Sequence, residues 1–165
     1  MHQINWGIIG PGSIADAFAY SIQATKNSKL ISVLGRDSKK VNSFAQKFHI
    51  NAHYQLDDFI SSEEIDAIYI ATPHSEHFFY AIEAIKNGKH VLCEKPLTMN
   101  AHESMILLAL ANEKNIFLME AFMYRVHPQT RNILDNLDFL KDAQDKIMIE
   151  ASFGFQADVP ESHRL

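Results

Sequence analysis

A lysine closes the short apolar run His90-Val91-Leu92-Cys93-Glu94-Lys95-Pro96. Val91 to Cys93 read as part of a buried strand, and Pro96 biases the residue before it toward extended backbone. Lys95 is therefore expected at the carboxyl end of that strand. An amine held beside a hydride carrier can give or take the proton when an alcohol and a ketone interconvert. A second segment supplies a place for such a carrier. In Gly7-Ile8-Ile9-Gly10-Pro11-Gly12-Ser13-Ile14-Ala15, a GxGxxA pattern follows an apolar strand and opens a helix. Gly10 permits a tight turn and Gly12 a close approach of a pyrophosphate to the backbone. Ala15 permits close packing of helix on strand. The helix N-terminus at Ser13 and Ile14 offers free N–H groups and a positive dipole end to the phosphates.

The end of the next strand bears on which dinucleotide fits. An acid there would bind the ribose 2′-hydroxyl of NAD. Here the chain reads Leu34-Gly35-Arg36-Asp37-Ser38-Lys39-Lys40. Arg36, Ser38 and Lys39 or Lys40 could clasp a 2′-phosphate, arginine with planar donors, so NADP is favoured over NAD. Asp37 leaves two roles open, a cap for the next helix or a ribose contact.

Hydrophobic periodicity supplies the elements that position these residues. Strands are expected over 4–9, 30–34, 66–71, 90–93 and 116–119. Helices are expected over 13–26, 38–48, 75–87, 100–114 and 129–137. Gly88 is placed to end the third helix, and Asn100 to cap the fourth with Glu103 reaching back. Strands alternating with helices imply βαβ units and a doubly wound parallel sheet, the Rossmann dinucleotide-binding fold. The Lys146 to Phe155 stretch alternates apolar and polar residues and reads as an isolated strand.

Composition narrows the classes. A chain of 165 residues with 47% apolar and 21% charged residues is that of an ordinary globular domain. A net charge of −5 gives no reason to expect nucleic acid or an anionic membrane as partner. The nine histidines are scattered, with no metal-ligand spacing. No apolar run reaches the roughly 18 residues of a membrane span, and the N-terminus has no secretory pattern. A single cysteine, Cys93, fits a reducing cytoplasm and reads as a small buried residue. The Phe78-Phe79 pair reads as core.

Three segments resemble the glucose–fructose oxidoreductase and inositol dehydrogenase family, Gfo/Idh/MocA. They are GIIGPGSIA (7–15), IYIATPHSEHFFYAIEAIKNGKHVLCEKPLTMNAHES (68–104) and MEAFMYRVHPQ (119–129). The last is most similar to the branch of dihydrodiol and D-xylose dehydrogenases. The resemblance implies a nucleotide-binding domain over 1–125. Residues 126–165 would then be a linking helix and the first strand of an incomplete α+β substrate domain. It implies NAD(P)-dependent oxidation or reduction of a sugar, polyol or dihydrodiol, with Lys95 catalytic and touching substrate. Glu94 would lie near the nicotinamide ribose, and Thr72, Pro73, His74 and His77 would line the cofactor. Glu120, Tyr124 and Arg125 would border the pocket, Tyr124 toward substrate and Arg125 toward cofactor. Taken without the resemblance, His74 and His77 read equally as a helix cap and a solvent-facing histidine, and Tyr124, Arg125 and His127 lie in an extended-looking stretch. Relatives of this kind are about twice as long, and the motif that would partner the lysine follows the point where this sequence stops. The 165-residue chain is therefore expected to bind a dinucleotide but turn over little or no sugar or diol. An unpaired apolar edge at 146–155 invites a homo-oligomer, unless the strand folds back or is disordered. The alternative function is a dinucleotide-binding module or sensor without catalysis.

Overall fold

The computed structural model describes residues 3–137, Glu150 and Ser152. The expected 146–155 strand thus lies, but for two exposed single positions, outside the described residues. The chain divides into two units, Met1–Phe122 and Met123–Leu165.

In the first unit, β1 (Ile4–Ile9), β2 (Ser28–Leu34), β3 (Asn51–His53), β4 (Ala67–Ile70), β5 (His90–Cys93) and β6 (Leu118–Glu120) form one sheet in the order β3-β2-β1-β4-β5-β6. Every strand pair is parallel. The helices α1 (Ser13–Gln23), α2 (Ser38–Phe48), α3 (Leu56–Ile60), α4 (His74–Lys86) and α5 (Ala101–Glu113) connect the strands. Strand alternation splits the core between two faces. Ile8, Val33 and Tyr69 turn to one face and pack with Ala15, Ala19 and Ile22 of α1 and with Val41, Phe44 and Phe48 of α2. Ile9, Ile68, Ile70 and Val91 turn to the other, with Phe59 of α3, Ala81, Ala84 and Ile85 of α4, and Leu107 of α5. Parallel strands buried on both faces account for the nearly unbroken apolar runs. The sheet order reverses between β1 and β4, which lie side by side with separate crossovers leading away. Such a switch point opens a crevice at the carboxyl ends of the strands.

Most expected boundaries are met within a few residues, and the departures have local causes. α1 stops at Gln23, and Thr25 Oγ1 closes its end by donating to Ile22 O at 2.9 Å. Gly88 follows α4 with a φ of +74°, where a side chain would be strained. Asn100 caps α5 by accepting from the Glu103 N–H at 3.0 Å, but the Glu103 carboxylate reaches Met99 N rather than Asn100 N. β6 begins at Leu118 because Asn115, at φ +55°, first turns the chain out of α5. β3 and α3 are additional elements of three and five residues, too short for a period to register. Phe78 packs against the core as expected, whereas Phe79 is 53% exposed.

Lys89 is a buried lysine, 8% exposed, whose Nζ donates to Ser62 O at 2.6 Å and Ile65 O at 2.9 Å. It ties the chain entering β4 to the chain entering β5. Replacing it by methionine leaves two carbonyls without donors, and Lys89→Met should destabilise the unit by about 1–3 kcal/mol in urea unfolding. Desolvation by burial holds the Lys89 ammonium below its ordinary 10.5, with Asp66 and Glu63 acting against it. Between the lowered folded value and 10.5 the unfolded chain binds more protons, so this group makes stability rise with pH in that window. The slope contributed there should disappear in Lys89→Met.

In the second unit, Met123–Val126 form a turn of 3-10 helix and α6 spans Pro128–Asp135. His127 caps α6, its Nδ1 accepting from Gln129 N at 3.2 Å. The stretch carrying Tyr124 and Arg125 is thus helical rather than extended, since Pro128 suits a helix start and the residues before it close a tight turn through His127 N to Tyr124 O at 3.1 Å. No helix among the described residues is long and apolar enough to cross a membrane.

Candidate dinucleotide groove and lysine turn

A groove of about 250 Å³ opens at the switch point. Ile9, Gly10, Pro11 and Gly12 form one wall, Ala71, Thr72 and Pro73 another, and Gly35 to Asp37 with Lys40, Glu76 and Tyr80 complete it. Gly10 has a φ of +94°, and a Cβ there would lie 2.8 Å from Ala71 O, so only glycine fits between β1 and β4. A Cβ on Gly12 would meet nothing within 4 Å. Gly12 is also the N-cap of α1, and no side chain among the described residues caps that helix. The first-turn N–H groups at Ser13 and Ile14 are therefore left without a side-chain acceptor, as an anion site requires. Thr72 adds a hydroxyl that is buried without a partner among the described residues. An open cradle over a glycine, an uncapped helix start and an orphaned hydroxyl fit a dinucleotide pyrophosphate.

At the β2 end, Asp37 takes one of its two anticipated roles. Its Oδ1 accepts from Lys39 N at 3.0 Å and Lys40 N at 3.2 Å, capping α2. Arg36 reaches across to α4 and pairs with Glu76 at 2.7 Å, remaining 77% exposed. Ser38 and Lys39 are exposed at the start of α2. Glu76 and Tyr80 were not anticipated, although their spacing after Pro73 puts them on one stripe of α4.

Lys95 is exposed at the carboxyl end of β5, the strand beside β4, and is joined to Pro96 by a cis peptide bond. The turn it belongs to is held by its own Glu94 and by side chains from β4 and β6. Glu94 Oε1 accepts from the Tyr69 hydroxyl at 2.6 Å, and Glu94 Oε2 lies 3.3 Å from Lys95 N. Glu120 Oε1 accepts from Leu97 N at 2.8 Å. Burial and the adjacent Glu94 carboxylate push the Tyr69 phenol far up, so Tyr69 stays a donor to Glu94. Phe18 stacks on Tyr69 with centroids 4.0 Å apart. Tyr69 was missed by sequence reasoning, although a tyrosine within an isoleucine-rich strand signals a buried ring with a polar end.

Of the anticipated residues, the structure gathers Gly10, Gly12, Arg36, Thr72 and Pro73 around the groove. Glu94 and Lys95 sit at the neighbouring strand end. His74 is exposed at the start of α4. His77 is neither solvent-facing nor open to the groove: it is fully buried, and both ring nitrogens face backbone carbonyls. Tyr124 and Arg125 are exposed within the second unit.

Cys93 is fully buried, and burial together with Glu94 and Glu120 pushes its thiol well above the usual range. It should resist thiol reagents at neutral pH in the folded protein and react fully once unfolded, as a colorimetric thiol count would show. Rapid labelling of the folded chain would contradict this burial.

The profile of an oxidoreductase family with an NAD-binding Rossmann fold matches residues 4–122. A trans-1,2-dihydrobenzene-1,2-diol dehydrogenase of Xenopus tropicalis is 35% identical over 154 residues, which cover 92% of this chain and 46% of that protein. A scyllo-inositol 2-dehydrogenase (NADP(+)) of Bacillus subtilis is 32% identical over 81% of this chain and 41% of its own length. Among solved structures, a 3-ketoreductase from Actinomadura kijaniata in complex with NADP and TDP-benzene superimposes with a TM-score of 0.78 at 30% identity, covering 84% of this chain and 43% of that one. The chain spans about half the length of the curated relatives it matches.

Proposed function

The chain belongs to the oxidoreductase family built on an NAD-binding Rossmann fold, and from this premise we propose that it is the cofactor-binding part of an NADP-dependent dehydrogenase or reductase. Its substrate is a hydroxyl or carbonyl of a sugar, polyol or dihydrodiol. The observation that carries this reading is the placement of the switch-point groove and Lys95 at the same end of the sheet, on neighbouring parts of its rim.

The cofactor, when bound, supplies or accepts the hydride. The protein's own groups supply position and a proton. The α1 N-terminus and the Gly10–Gly12 backbone hold the pyrophosphate. Thr72 and Pro73 border the groove from β4. Lys95 donates a proton to the carbonyl oxygen during reduction and takes it from the hydroxyl during oxidation. Glu94, fixed by Tyr69, sets the backbone from which Lys95 projects.

Preference for NADP follows from Asp37 and Arg36. Asp37 Oδ1 is taken by two α2 amides, while Arg36 stands exposed at the groove edge, where its guanidinium can meet a 2′-phosphate. Names of similar proteins agree with this preference, one being an NADP(+) enzyme and one a protein solved with NADP. Arg36→Ala should weaken NADPH binding about tenfold while changing NADH binding little, equivalent to about 1.4 kcal/mol. Equal losses for both cofactors would remove Arg36 from 2′-phosphate recognition.

The reading is tested by incubating the protein with NADPH and a panel of ketoses, inososes and diketones, and with NADP and the matching alcohols, following nicotinamide fluorescence. Turnover of at least one substrate class is expected from a preparation that has its full substrate pocket. Binding of NADPH without turnover of any of them would instead support a dinucleotide-binding module.

A further inference from the structure

His77 is the one histidine among the described residues that is fully buried, and it lies between the two loops that form the site. Its Nδ1 is 2.8 Å from Pro96 O, and its Nε2 is 3.0 Å from Thr72 O. One carbonyl belongs to the turn that carries Lys95, the other to the wall of the dinucleotide groove. Both partners are acceptors. Either neutral tautomer donates to one of them, and the imidazolium donates to both. The exposed His74 ring packs edge-on against His77 at 5.7 Å and leaves both contacts intact. Other side-chain ties to the lysine turn come from β4, β5 and β6, through Tyr69–Glu94, Cys93–Leu97 and Glu120–Leu97. None of these reaches the groove wall at Thr72. His77 alone among them joins the two loops.

We propose that His77 is a positioning residue that bridges the Thr72–Pro73 wall of the dinucleotide groove to the Lys95–Pro96 turn, so that one buried ring sets the cofactor site and the lysine relative to each other. It acts through the backbone of both loops and touches neither reactant. The proposal rests on the functional reading above in assigning Thr72 to the cofactor and Lys95 to the substrate. The bridge itself rests on geometry alone.

The test uses the chain labelled with 15N, with His77→Phe to keep ring volume and remove the ring nitrogens, and His77→Gln to restore N–H donors on the side chain. In the cofactor-free protein, His77→Phe should shift the backbone amide signals of both Thr72–His74 and Lys95–Leu97. Those of Val41 and Phe44 on the opposite face should stay in place. His77→Gln should bring both sets back toward their original positions. On titration with NADPH, the Lys95 amide should move in the unmodified chain and in His77→Gln but not in His77→Phe, whose NADPH affinity should fall about tenfold. If His77→Phe does not fold, the ring signals of His77 in the unmodified chain serve instead: a slowly exchanging, hydrogen-bonded ring N–H supports the bridge. A ring with no N–H protected from solvent exchange overturns it. Shifts confined to one loop, or an NADPH-linked Lys95 shift that survives in His77→Phe, also overturn it. Absence of any response to NADPH or NADH in the unmodified chain would instead sink the functional reading, and the cofactor-free spectra would still decide the bridge.

Discussion

Gly12→Val is expected to abolish dinucleotide binding while leaving the fold almost untouched. Position 12 has φ −118° and ψ −177°, extended backbone that a β-branched residue adopts freely. A Cβ there meets nothing within 4 Å. As an N-cap, valine is poorer than glycine, so a stability loss of up to about 1 kcal/mol is expected in denaturant unfolding. The space it enters is that left for a pyrophosphate against the backbone and the free N–H groups of α1. NADPH affinity should therefore drop by about 100-fold or more, some 2.7 kcal/mol. Gly10 makes the contrast. A Cβ there strikes the Ala71 carbonyl at 2.8 Å from a residue at positive φ, so a substitution at that position loses fold and binding together. A folded Gly12→Val chain with unaltered NADPH affinity would move the cofactor out of this groove.

Lys95→Met carries the second large effect. The two side chains are similar in length, and Lys95 is exposed, so neither packing nor stability should change measurably. The Glu94, Glu120 and His77 contacts that hold the turn involve other residues or the backbone and remain in place. What is lost is the proton donor and acceptor, and such groups contribute about 10²–10⁴-fold to rate. Steady-state assays with NADP and a sugar or diol, on a preparation that has its full substrate pocket, should show kcat reduced in that range, with the NADP dissociation constant within about threefold of its original value. Retention of kcat within tenfold would assign proton transfer to another group.

The sheet was legible because its strands are buried on both faces. Ile4–Ile9, His90–Cys93 and the isoleucines around Tyr69 stand out as apolar runs, and α2 shows a clear stripe of Val41, Phe44, Ala45 and Phe48. The glycine turn was legible for a chemical reason, since Gly10 and Gly12 are needed for different purposes and both appear in the geometry. What the sequence could not show was how side chains share work across loops. Asp37 reads equally well as a cap or a ribose ligand until its Oδ1 is seen on two α2 amides. Arg36 looks free until Glu76, 40 residues later, is found across the groove. His77 lies in the first turn of a helix that follows a proline, a position that reads as surface, yet tertiary packing buries it completely. β3 and α3 escaped because elements so short are held by their neighbours rather than by their own pattern.

The account stands most directly on whether the groove at the β1–β4 switch point holds NADP. A fluorescence titration of the 165-residue chain with NADPH, run in parallel with NADH, decides it. The expected result is saturable NADPH binding, with NADH at least about tenfold weaker, as loss of the Arg36 contact to the 2′-phosphate would give. Failure of both dinucleotides to bind a folded chain would contradict the account.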